Sequence, residues 1–353
     1  MRFGIYSEMQ TPLGAPHADR VRDELRAIEQ ADALGFDIYS LIEHHFFQEF
    51  SISANPLAVF AAAAQRTARI RFRTALHTLP LHNPLRLAGE IAVADILTGG
   101  RLECGVGRGH AWLYGPSNVP LEESRPRFEE GVELLHLAWT RDRFSYHGHF
   151  YTVEDVSVVP KPLQRPHPPL STGGTSEQSY RTAGERGWAL LLPPTRPYET
   201  FAPMLALYRE ACRARGHTPH VIVIRPVYLG EDARTLRDEV EPYLLDFFAF
   251  NASPMASLAS EAQRADLRAK GFVHYASGAM EALRDVTYED AVAQDIALVG
   301  TPDAVAARLA RFAREDAVDE IAIVASFGGL PADRVLRTQQ LFAERVIPSL
   351  RGR

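Results

Sequence analysis

Apolar positions along this chain switch between two periods. The short run "RFGIY" at 2–6 reads as a buried strand, and Val21, Leu25, Ile28 and Leu34 then repeat at helical spacing over 18–34, with Gly35 closing the helix. "FDIYSLIE" at 36–43 predicts the next strand, and "NPLAVFAAAAQRT" at 55–67 the next helix, with Asn55 as cap and Pro56 in the first turn. The alternation continues through "IRFRTALH" (strand), "PLRLAGEIAVADIL" (helix), "RLECGVG" (strand) and "SRPRFEEGVELLHLAW" (helix). A Pro-rich connector at 158–169 precedes the strand "LSTGG", a helix from about 176, the strand "WALLL", a helix near 200–215 and the strand "VIVIRPVYLG". Residues 231–295 mix Ala, Ser and charge, after which "GTPDAVAARLARF", "EIAIVAS" and a last helix end the pattern.

About eight strand and helix pairs joined by short crossovers imply parallel strands covered by helices. In 353 residues that count favours a closed (β/α)8 TIM barrel over an open sheet, formed as one domain over 1–353. Chemistry in such a barrel sits at the C-terminal ends of its strands, so candidate residues should cluster there.

Composition removes several classes. A net charge of −6 gives no broad positive surface for nucleic acid. Cys104 and Cys212 lie far apart without metal-type spacing, and a cytoplasmic location is expected. No segment approaches the roughly 20 apolar residues that span a bilayer, and the N-terminus lacks a signal-peptide core.

Three strand ends carry candidate chemistry. Glu43, His44 and His45 close the second strand, where side-chain alternation sends the two histidines to different sides, one toward the barrel mouth. An imidazole titrates near neutrality and can act as acid or base. His77, His82 and His110 follow later strand ends and raise a metal site as a rival, but no H-E-x-x-H or H-x-H spacing supports it. "GVGRG" places Gly105, Gly107 and Gly109 around Arg108, which suits a tight turn or a backbone approaching a planar or phosphorylated ligand. "STGGTSEQS" at 171–179 opens a helix that could hold a phosphate, although Thr175 with Gln178 also fits a plain capping box. "VGTPDA" at 299–304 is a third phosphate candidate by its place near the end of the barrel.

Taken together and in order, "GFDIYSLIEHHF" (35–46), "LPLHNPLRLAGEIAVADILTGGRLECGVGRG" (79–109), "SRPRFEEG" (124–131), "TSEQSYRTAGERG" (175–187) and "VGTPDAVAARL" (299–309) resemble the bacterial luciferase-like flavin-dependent monooxygenases. The resemblance implies a (β/α)8 barrel of that type with insertions. It further implies reduced FMN at the mouth, O2 as co-substrate, a small organic substrate such as an aldehyde or ketone, a separate flavin reductase and a homodimer. By the same resemblance His44 is the catalytic histidine and His45 its neighbour. Arg108 and Arg125 grip the FMN phosphate with Gly174, Thr175, Ser176 and Ser179, which makes "VGTPDA" a plain helix start. Ala75 and Leu76 take the place of a cis peptide under the flavin ring, and Gly107 stands where luciferase has a reactive cysteine, so light emission is not implied. Residues 250–290 match poorly and are expected to form a mobile insertion or lid, with Phe250, Met255, Phe272 and Tyr275 shaping the pocket. Alternatives are a deazaflavin-dependent hydride-transfer enzyme and a non-catalytic flavin-binding subunit.

Overall fold

The computed structural model describes residues 1–258, 260–315 and 317–351. Four parallel strands, β1 (Arg2–Ser7), β2 (Ile38–Leu41), β3 (Arg71–Thr78) and β4 (Leu102–Gly107), alternate with α1 (His17–Leu34), α2 (Pro56–Ala64), α3 (Pro84–Leu97) and α4 (Ser124–Thr140). A short antiparallel hairpin, β5 (Phe144–His147) and β6 (Thr152–Val156), interrupts the rhythm. The barrel resumes with β7 (Leu170–Gly173), α5 (Glu177–Arg186), β8 (Ala189–Leu192), α6 (Ala202–Arg215) and β9 (Val221–Leu229).

Beyond β9 the chain is helical: α7 (Leu236–Ala252), α8 (Glu261–Ala269), α9 (Val273–Ala276) and α10 (Tyr288–Ala293). β10 (Leu298–Gly300), α11 (Pro302–Glu315), β11 (Glu320–Val324), α12 (Ala332–Leu341) and α13 (Ile347–Arg351) follow. Parallel pairing runs β9-β11-β1-β2-β3-β4-β7-β8, and β8 pairs back to β9, so eight strands close the expected barrel. β10 is an extra strand that pairs only with the end of β9.

Helix ends follow the local chemistry. The Asn55 side chain accepts from the Ala58 N–H, and Gly35 closes α1 at φ 83°, a conformation that costs glycine little. The α5 cap is Ser176, whose side chain accepts from the Ser179 N–H, so the Thr175 and Gln178 capping box is corrected by one residue. The hairpin at 144–156 was not expected from the hydrophobic pattern, because its strands leave most residues partly or fully exposed. The segment 250–290 is helical, and it buries Phe250, Met255 and Phe272.

Two features fill the barrel. At its N-terminal end Arg73 reaches across the interior, with Nη2 2.7 Å from Glu103 and Nη1 2.6 Å from Glu320. Toward the C-terminal end, glycines let β3 and β4 approach closely: a Cβ on Gly107 would stand 2.6 Å from Leu76 Cδ1, and one on Gly105 2.1 Å from the Thr74 carbonyl. Leu76 follows Ala75 through a cis peptide bond. No described helix is long and apolar enough to cross a membrane.

Candidate active site

The turn after β2 carries the densest chemistry in the molecule. A backbone bond from the His44 N–H to the Ser53 carbonyl pins it at 2.9 Å. The expected split of the two histidines is present: His44 is 0% exposed, whereas His45 keeps 31% of its side chain in solvent.

Glu43 turns out to be the centre of a cluster. Its carboxylate accepts from His77 Nδ1 at 2.5 Å and His82 Nε2 at 2.7 Å, with His45 Nε2 at 3.4 Å. Burial alone would raise its pKa; the hydrogen bonds from His45, His77 and His82 overcome that and hold it well below the usual carboxylate range. His82 responds in kind, because burial disfavours its charged form but the Glu43 carboxylate outweighs burial and raises its pKa. With Nδ1 committed to Glu43, Nε2 of buried His77 has no partner among the described residues.

Glu43, His77 and His82 also bring possible metal-ligand atoms within 4.8 Å of one another. Ligands at about 2.0–2.2 Å from a tetrahedral ion stand more than 3 Å apart. The 2.5 and 2.7 Å spacings are instead those of hydrogen bonds.

His44 lies in an aromatic box. Its ring stacks on Phe50 with centroids 4.2 Å apart, and its Nε2 accepts from the Trp112 indole N–H at 2.8 Å. His110 lies flat against Trp112 at 4.4 Å and 7°, and its Nδ1 meets the Tyr275 hydroxyl at 3.0 Å. Burial lowers the His44 pKa well below its ordinary value, with help from neighbouring His110 and His45, so the ring is neutral near pH 7.

At the end of β4, Arg108 bonds to Ser124 Oγ at 3.4 Å, and its backbone carbonyl accepts from the Tyr114 hydroxyl at 2.5 Å. Burial, then the neighbouring Arg125 cation, depresses its pKa. Among the described residues no carboxylate stands within ion-pair distance of Arg108 or Arg125. Phe272 covers Arg108, its ring centroid 4.6 Å from the guanidinium carbon. On the β7 side, Ser176 Oγ and Ser179 Oγ lie 2.9 Å apart at the N-terminus of α5. A Cβ on Gly174 would stand 2.8 Å from Ser179 Cβ, whereas Thr175 is exposed. A Cβ on Gly173 would lie 3.8 Å from Leu76 Cδ1, so the glycines of β4 and β7 flank one leucine.

The sequence alone gives Glu43 no role of its own and does not point to Trp112. The "EHH" stretch combined with His77 and His82 was a usable signal for Glu43. Nothing in "HAWLYGP" marks the indole as a partner of a residue 68 positions earlier.

A family model described as luciferase-like monooxygenase matches residues 1–320. The chain is 26% identical to the oxygenase component of a flavin-dependent trigonelline monooxygenase from Acinetobacter baylyi, over 71% of this chain and 72% of that one. It is 29% identical to an FMNH2-dependent dimethylsulfone monooxygenase from Pseudomonas putida, over 79% and 76%. The solved structure of the monooxygenase RslO1 from Streptomyces bottropensis superposes with a TM-score of 0.80 at 29% identity, over 99% of each chain. An F420-dependent glucose-6-phosphate dehydrogenase from Intrasporangium calvum is also similar, 28% identical over 50% of this chain and 55% of that one. Through its barrel and the extent of that model, this chain belongs to the luciferase-like monooxygenase family and is an oxidoreductase.

Proposed function

We propose that this chain is the oxygenase of a two-component system, taking reduced FMN from a separate reductase and using O2 to oxidise a small organic substrate. The observation that carries the reading is the pair of neighbouring guanidinium groups, Arg108 and Arg125, neither ion-paired to a carboxylate among the described residues. A phosphate monoester suits them, because each guanidinium can make paired charge-assisted bonds to its oxygens. Ser176, Ser179 and the free N–H groups at the start of α5, with Gly174 beside them, extend the same cradle. Gly107 lets Leu76 pack directly against β4, because a Cβ there would stand 2.6 Å from Leu76 Cδ1.

Reduced flavin, when bound, supplies the electrons that activate O2. The protein's part is to hold the ring, exclude water and place a proton. Phe47, Phe50, Trp112 and Phe272 supply apolar cover around His44 and Arg108. Neutral His44 offers the reacting groups a hydrogen bond, with His45 as its partly exposed neighbour toward Glu43. The helical segment 250–290 acts as a lid.

Two further readings belong to this proposal. Val93, Ile96, Leu97 and Val159 are exposed along α3 and its neighbouring loop, beside a groove between α2 and α3, which supports a homodimer through that face. Free, buried Cys104 and Cys212 suit a reducing cytoplasm.

Anaerobic titration with reduced FMN and with the reduced deazaflavin F420 decides the cofactor. FMN should bind, and Arg108→Ala should weaken it about 10- to 100-fold, as expected when a charge-assisted contact worth about 1.5–3 kcal/mol is lost. His44→Ala should keep flavin affinity and lose turnover. Preference for the deazaflavin would overturn the assignment in favour of hydride transfer, the chemistry suggested by the F420-dependent relative.

A further inference from the structure

Trp112 reaches His44 in a way that fixes its chemistry. An indole N–H can only donate, so the atom 2.8 Å from it, His44 Nε2, must be an unprotonated acceptor. A neutral imidazole carries one proton, which leaves it on Nδ1. That atom is buried and has no partner among the described residues. Free imidazole side chains in water favour the opposite form, with hydrogen on Nε2, so the protein has selected the minor tautomer.

The surroundings hold the arrangement in place. Trp112 is 2% exposed and is pressed between the flat face of His110 at 4.4 Å and the edge of Tyr275 at 5.4 Å. Phe50 stacks on the other partner, His44 itself, at 4.2 Å. The ionisable groups around the ring are Glu43, His45 and His110. Neither carboxylate oxygen of Glu43 is spare for His44, because both are taken by His77, His82 and His45.

We propose that Trp112 is a positioning residue that locks neutral His44 with its proton on Nδ1, making His44 a fixed hydrogen-bond donor to the bound reactants and closing Nε2 to base catalysis. The proposal rests on the functional reading above for the identity of those reactants, but the tautomer itself does not depend on it. An unpaired buried N–H is costly, and a ligand oxygen or nitrogen placed against Nδ1 recovers that cost on binding. His44 therefore offers a hydrogen bond to the reacting groups and does not take a proton through Nε2 while the Trp112 bond stands.

The test is two-bond 1H–15N correlation of the full-length protein labelled with 15N-histidine, without flavin, near pH 7.5. The His44 signals, assigned by their loss in His44→Gln, should show a protonated Nδ1 and a bare Nε2. In Trp112→Phe, which removes only the donor and part of the ring, the population should move to Nε2–H. Turnover should then fall on the order of 10- to 100-fold, below the full 10²–10⁴ attributed to proton transfer, while reduced-FMN affinity changes less than about threefold. A wild-type His44 with hydrogen on Nε2 would overturn the proposal even if Trp112→Phe failed to fold. So would a folded Trp112→Phe with an unchanged tautomer. A correct tautomer in a protein that binds no FMN would sustain this inference and remove the functional reading, so the two fail separately.

Discussion

Strand β3 carries a buried ionic cluster at each end, and the two are built from different cations. At the N-terminal end Arg73 joins Glu103 and Glu320, and Arg2 and Arg71 add further charge to Glu103. Four residues later His77 joins Glu43 together with His82 and His45. A guanidinium stays charged at any working pH and fills two carboxylates with a rigid fork, so the first cluster is a permanent strut. Imidazoles change charge near neutrality and leave ring atoms uncommitted, as at His77 Nε2. Glu8 provides a third case at the end of β1: buried, among the described residues it has Tyr6, Gln10 and Asn251 as hydrogen-bond partners and faces no cation. The nature of the partner thus separates a scaffold carboxylate from a responsive one within a single barrel.

The sharpest way to break the contrast is Arg73→Leu. It leaves Glu103 and Glu320 buried without their main counter-charge, and removing one partner of a buried ion pair costs about 3–5 kcal/mol. Equilibrium denaturation in urea should show that loss. A cost under about 1 kcal/mol, the range of exposed pairs, would mean that the cluster is solvated and is no strut.

The two ends of β3 also differ in how far the sequence foretells them. The barrel follows from the alternation of strand and helix patterns, and Asn55, Gly35 and the glycines of "GVGRG" act locally, so their roles are legible one residue at a time. Arg73 with Glu320 and Trp112 with His44 join residues 247 and 68 positions apart, and no local pattern encodes such a pairing. Glu43 sits between the two situations. Its neighbours in sequence drew notice to it, but its role depends on His77 and His82, which the pairing of β2 with β3 brings within 2.7 Å. Ser176 in place of Thr175 as the α5 cap shows the finer limit, because two adjacent hydroxyl residues both satisfy the capping preference.

Glu8 sharpens the comparison through pH. Burial raises its pKa to about 7, and the hydrogen bonds from Asn251, Tyr6 and Gln10 only partly oppose this. A carboxyl that keeps its proton in the folded state while the unfolded chain releases it makes stability fall as pH rises from the unfolded value near 4.5 through about 7. Full expression of that shift amounts to at most about 3 kcal/mol. Glu8→Gln, which imitates the protonated form, should therefore be near neutral at pH 4.5 and stabilising at pH 8. Urea midpoints at the two pH values measure the difference, and a variant equally stable relative to wild type at both would show that Glu8 is ionised in the fold.

Glu43→Gln probes the responsive cluster itself. The amide keeps one acceptor but turns a donor toward imidazole N–H groups, which should cost about 1.5–3 kcal/mol, the scale of a lost hydrogen bond to a charged group. The pH profile tells more than the mean. In the wild type the raised His82 pKa contributes stability that is fully present below the unfolded value of 6.5 and is lost as pH rises through the folded one. The lowered Glu43 pKa contributes stability that is present above 4.5 and is lost only as pH falls below it. Of these two contributions that of His82 is the one that changes between about pH 5.5 and 9, so Glu43→Gln should cost more at pH 5.5 than at pH 9. A cost independent of pH across that range would show that Glu43 is held by neutral imidazoles. The mouth of the barrel would then be as fixed as its base, and its capacity to move protons would have to come from the bound reactants alone.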